Sequence, residues 1–124
     1  MNSQDIPGKL ITLEALEKMF NNLKEERGLE LSHPLLWGFF FTHNDKETLE
    51  NCFEELEKMG LRYVKIFLSE KENAYDPDMY WLHVEKEEVH NAQSLDFFND
   101  ELYLFANEQG LDSYDGMDVS PLPY

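Results

Sequence analysis

Apolar residues recur along this chain with two different periods, and the places where the period changes mark the elements. From Thr12 to Arg27, Leu13, Leu16, Phe20 and Leu23 fall three and four positions apart, the repeat of an amphipathic helix, with Thr12 as N-cap and Gly28 as stop. A Pro7-Gly8 turn precedes it. Leu36 to Thr42 is short, aromatic and bounded by Ser32-His33-Pro34 and His43-Asn44-Asp45, which predicts a strand in the middle of a sheet. Asn44 then caps a second helix, with Glu47 in capping-box position. Leu49, Cys52, Phe53, Leu56 and Met59 form its apolar face before Gly60 ends it.

Leu61 to Leu68 alternates, with Val64, Ile66 and Leu68 on one side and Tyr63, Lys65 and Phe67 on the other. The polar stretch Ser69 to Asp78 reads as a hairpin connection and the mobile loop of the chain. Tyr80, Leu82 and Val84 alternate with Trp81, His83 and Glu85 in a third strand. A helix from Ser94 to Gln109 presents Leu95, Phe98, Leu102, Phe105 and Ala106 on one face. A last short strand is expected around Tyr114-Asp115-Gly116.

After the leading helix the order is strand, helix, strand, strand, helix, strand. That is the βαββαβ unit of a ferredoxin-like α+β sandwich, two helices on one face of a four-stranded antiparallel sheet. The expected organisation is one domain over residues 1–124, with a helical extension at 1–35 and a core at 36–119. The opposite sheet face is expected to carry Trp81, His83, Tyr63, Phe67 and one parity of the Trp37/Phe39/Phe41 row. Such an aromatic patch needs a cover, either the helix Thr12 to Arg27 or a second copy in a homodimer.

Charge changes the picture of partners. The 124 residues hold 10 Lys+Arg and 26 Asp+Glu, a net charge of −16, while 42% hydrophobic content supplies a real core. A surface this anionic repels nucleic-acid phosphates and attracts a basic protein, so no direct nucleic-acid binding is expected. The longest apolar run, Leu35 to Phe41, is too short to span a bilayer, and the N-terminal stretch lacks an export signal. With Cys52 as the single cysteine, no internal disulfide forms. The expectation is a cytoplasmic protein, with Cys52 an inert core thiol.

Candidate chemistry is sparse. His43, His83 and His90, with carboxylates such as Asp45, Glu85 or Glu88, could ligate a metal or serve an enzyme, but no local metal-ligand spacing joins them. Surface or capping histidines are the simpler reading. Glu25-Glu26, Glu54-Glu55 and Glu85 to Glu88 read as solvated faces. Asp112, Asp115 and Asp118 lie close together around Tyr114 and Gly116, without the bidentate Glu that a calcium loop requires. Neither a nucleophile elbow, a phosphate loop nor a dinucleotide fingerprint is present, so no catalytic set and no cofactor is predicted. The strand aromatics resemble an RNA-stacking platform in outline, without its basic-aromatic signature.

From Trp37 to Gly116 the chain resembles the family of regulators of ribonuclease E activity, type B. The resemblance rests on Trp37-Gly38-Phe39-Phe40-Phe41 followed by a helix ending Leu56-Glu57-Lys58-Met59-Gly60, on Tyr80-Trp81-Leu82-His83-Val84, and on Tyr114-Asp115-Gly116 after a long helix. It implies a ferredoxin-like fold and a non-enzymatic regulator that binds and restrains an RNA-degrading endonuclease. The expected partner contacts are Tyr114, Asp115 and Gly116, with Asp112, Asp118 and Trp81. The chain departs from the family where Met117-Asp118 replaces a Trp-Gly pair and where Val119 to Tyr124 replaces an acidic tail. Size and acidity equally suit an immunity-type inhibitor of a nuclease toxin.

Overall fold

Thr12 caps the first helix as its sequence position demands, its hydroxyl accepting from Ala15 N at 3.1 Å at the head of α1 (Leu13–Glu25). In the computed structural model residues 6–123 are described; the first five residues, part of the stretch read above for an export signal, and Tyr124 lie outside the described residues. The elements that follow are β1 (Leu35–His43), α2 (Lys46–Glu50), α3 (Phe53–Lys58), β2 (Arg62–Leu68), β3 (Tyr80–Glu88), α4 (Ala92–Glu108) and β4 (Ser113–Ser120). The four strands form one antiparallel sheet in the order β2-β3-β1-β4, the arrangement of a ferredoxin-like sandwich.

The aromatic first strand explains why β1 is central. Trp37, Phe39 and Phe41 all point to the helical side and are at most 1% exposed. Phe39 meets Phe98 of α4 with ring centres 5.2 Å apart, and Phe41 meets Phe105 at 5.8 Å. Leu82 and Val84 of β3 join the same core. Each buried ring removes roughly 150–250 Å² from water, so this row is the main apolar anchor between sheet and helices.

Four expectations change. First, α1 does not cover the open sheet face. Leu16, Phe20 and Leu23 are buried on the α4 side, and Phe20 packs on Trp37 at 5.7 Å. Lys9 fastens the preceding segment to α4 through ion pairs with Asp96 at 2.9 Å and Asp100 at 2.6 Å. Burial pulls the Lys9 pKa down, but the two carboxylates more than offset this and hold it above its ordinary value.

Second, the Trp37/Phe39/Phe41 row leaves the open face to Gly38, Phe40 and Thr42. Tyr63 leaves it too, because a bulge between Tyr63 and Lys65 shifts the register and turns the ring onto Phe53, 4.6 Å away. Third, the helix expected from Asn44 to Gly60 is two short ones. Cys52 N bonds back to Leu49 O at 3.1 Å, a tighter turn that ends α2 before α3 begins. Its N-cap is Asp45, not Asn44, with Thr48 Oγ1 donating to Asp45 Oδ2 at 2.8 Å. The capping box lies instead at Asn91 and Ser94, at the head of α4. Fourth, β4 runs for 8 residues rather than as a short strand at Tyr114 to Gly116.

Candidate functional site

The sheet face turned away from the helices carries a continuous aromatic run. Phe40 and His83 are cross-strand partners whose rings stack at 4.5 Å and 19°. Trp81 meets Phe40 edge-on at 6.3 Å and stacks with Phe67 at 6.1 Å. Lys65 seats its ammonium 5.1 Å from the Phe67 ring centre. Arg62 pairs with Glu85 at 3.2 Å and Glu87 at 3.6 Å further along the same face. In the same cross-strand row, next to Glu85, β1 carries the bare backbone of Gly38. A Cβ placed there would lie 2.5 Å from Asp118 Oδ1 and 2.7 Å from His83 Nε2, so both polar atoms lean over the bare backbone.

β4 borders this face as an edge strand, and its carboxylates sit where an unpaired edge meets water. Asp112, Asp115 and Asp118 are all exposed. Asp112 is tied down, its N donating to Thr42 O at 2.9 Å and its carboxylate accepting from Thr42 Oγ1 at 3.2 Å. Asp115 stands at the irregularity where β4 gains a residue against Phe40/Phe41 of β1. Partial burial and then the nearby charge of Asp112 raise its pKa above the ordinary carboxylate value. Gly116 has φ +115°, a conformation that reserves the position for glycine.

Tyr114, expected at the surface, is an interior residue only 3% exposed. Its hydroxyl donates to Asn99 Oδ1 at 2.6 Å, and its ring packs against Phe41 at 5.3 Å and Tyr103 at 4.9 Å. Burial, then the neighbouring Tyr103, drives its pKa well above the usual phenol value. The Tyr-Asp-Gly motif therefore divides into an anchor inside, a carboxylate outside and a backbone kink between strands. Asn99, which sequence reasoning passed over, is fully buried. Its signal was available: it interrupts the apolar stripe of α4 between Leu95 and Leu102.

The histidines do not converge. His83 lies on the open face, whereas His90 is buried on the helical face, edge-on to Trp37 at 5.4 Å. His43 ends β1, its Nδ1 accepting from Asp45 N at 2.9 Å. Six residue steps along the strand, about 20 Å, separate it from Trp37 and hence from His90. Among the described residues no group of three His, Cys, Asp or Glu side chains could hold a metal ion. The metal or enzyme reading built on His43, His83 and His90 thus has no common centre. Cys52 is buried, its thiol donating to Thr48 O at 3.3 Å and pushed up to about 11 by desolvation, which keeps it protonated at neutral pH.

The sequence profile of RraB, Regulator of ribonuclease activity B, matches residues 13–119. The chain belongs to the RraB family. The match takes in α1 and nearly all of β4, so the leading helix and the edge carboxylates both lie within the family's domain. No curated protein matches the chain in sequence. Among the described residues no helix is long and apolar enough to cross a membrane. As an RraB-family member the chain falls in a class of regulators of ribonuclease activity.

Proposed function

We propose that this RraB-family protein restrains a ribonuclease by docking on a basic surface of that enzyme, in the cytoplasm and with no chemistry of its own. The observation that carries the reading is the run of exposed carboxylates Asp112, Asp115 and Asp118 along an edge strand of a chain with net charge −16. A surface that attracts RNA is cationic, and an anionic protein seated on it competes with RNA for the same field. In this reading Asp115, Asp118 and Trp81 touch the partner. Tyr114 and Gly116 position them, and Asp112 does both.

The test is capture from the source cell's lysate at low salt, with wild type and the Asp112→Asn, Asp115→Asn, Asp118→Asn triple variant side by side. An RNA-degrading enzyme should be retained by wild type alone. Its RNA cleavage should slow when purified wild-type protein is added back, and the complex should weaken steeply between about 50 and 200 mM salt, because the Debye length shrinks across that range, through about 10 Å at about 0.1 M, and screens exposed charges. Recovery of no ribonuclease, or cleavage that proceeds unchanged with the protein bound, overturns the reading.

A further inference from the structure

The notch that Asp118 and His83 form over Gly38 has the chemistry of a receptor for one particular side chain. Asp118 and His83 lean over a backbone that carries no Cβ, and neither the carboxylate nor either imidazole nitrogen has a hydrogen-bond partner among the described residues. Two other contacts show how the face treats cations. Arg62 is already gripped by Glu85 and Glu87, and Lys65 already rests over Phe67. Asp118 has no such cation among the described residues and stands beside the stacked rings of His83 and Phe40.

We propose that this notch binds an arginine side chain from a basic segment of the protein partner. The guanidinium would donate to Asp118 and to a ring nitrogen of His83, and lie flat against the Phe40 ring, to which Trp81 is edge-on and so reports the contact. This rests on the protein-partner reading above and names where one contact is made. Arginine rather than lysine is specified by shape: a planar, delocalised cation stacks on rings while presenting several donors in a fixed fork, whereas an ammonium is a compact, strongly hydrated point charge. Because Gly38 has no side chain, the Asp118 carboxylate and the His83 ring can both reach in over the strand, which sets their polar atoms side by side for one forked donor. A nucleobase could also stack on these rings, but the notch offers it a carboxylate and the chain repels its phosphates.

The test uses the full chain, isotope-labelled, titrated with a capped Arg-Gly repeat peptide, the matching Lys-Gly peptide and a single-stranded oligouridine. The two indole N–H signals are the readout. Trp37 Nε1 is buried and donates to Glu88 O at 3.1 Å, so it serves as the internal control for Trp81. The Arg peptide should move the Trp81 signal saturably, leave Trp37 in place and bind about tenfold tighter than the Lys peptide.

Asp118→Asn and Gly38→Ala, the second pushing the Asp118 carboxylate and the His83 ring aside with one methyl group, should each weaken the Arg peptide about tenfold, and Glu101→Gln, an exposed residue of α4 on the helical side of the sheet, by less than about twofold. If Gly38→Ala alters the circular dichroism, the isosteric Asp118→Asn carries the test. Equal binding of Arg and Lys peptides, indifference to Asp118→Asn, or no movement of Trp81 overturns the proposal. Movement of Trp81 by oligouridine instead makes the face a base-stacking platform and overturns it as well. No ribonuclease enters this titration, so its failure leaves the capture result standing, and failure of the capture leaves the notch standing.

Discussion

Tyr114 Oη donates to Asn99 Oδ1 at 2.6 Å inside the core, and this bond pins the edge strand to the long helix. Asn99 Nδ2 completes the arrangement with a weak contact to Met117 Sδ at 3.6 Å. Tyr114→Phe removes the donor and leaves a buried amide oxygen unsatisfied, a loss of about 1–3 kcal/mol. Urea denaturation should show that loss in Tyr114→Phe. The double variant Tyr114→Phe, Asn99→Leu should recover part of it, since no orphaned polar group remains. A single variant as stable as wild type would mean that the bond contributes nothing net.

That pair also shows where the sequence is legible and where it is not. Element order follows from periodicity because Leu95, Phe98 and Leu102 announce a helix, and Leu82 and Val84 a strand, whatever they pack against. Which side an element occupies depends on contacts between distant segments. The stripe of Leu16, Phe20 and Leu23 predicts an amphipathic α1 but not that its partner is Trp37. Bulges are equally silent: one extra residue between Tyr63 and Lys65 reverses which face the tyrosine joins. The carboxylates of β4 were visible as a cluster. Their relation to Gly38 and His83 was not, because it arises only when β4 and β3 flank β1.

The placement of α1 gives a second prediction. A chain beginning at Leu29 loses Leu16, Phe20 and Leu23 and uncovers Trp37 on the helical side. It should unfold at lower temperature and bind a hydrophobic dye. Truncation should leave Trp81 in its wild-type environment, since α1 does not touch the open face. A truncated protein with wild-type thermal stability would mean that α1 adds little to the core.

His90 makes stability depend on pH. Burial holds its pKa below the ordinary value of 6.5, although Glu88, 2.7 Å from Nε2, pulls the other way. Between the folded pKa and about 6.5 the unfolded chain therefore binds more protons than the folded one, so stability rises with pH through that window and is complete above it. His90→Gln should flatten this part of the profile in thermal melts taken from pH 5 to 8. A slope unchanged by the substitution would assign it to another group.

Asp115 runs in the opposite sense. Its pKa is raised above 3.8 by partial burial and by Asp112, so the folded state favours the protonated form and stability falls as pH rises through the window above 3.8. At neutral pH the ionised carboxyl opposes folding, which an edge strand tolerates when the charge serves recognition or keeps the edge from pairing. Asp115→Asn should therefore melt higher than wild type at pH 7, by an amount limited by solvent screening at this exposed position, yet bind a basic partner several-fold more weakly. Calorimetry and affinity measured on the same preparation separate the two effects. A variant that gains stability and keeps full affinity would remove Asp115 from the docking surface and leave its charge with the protective role alone.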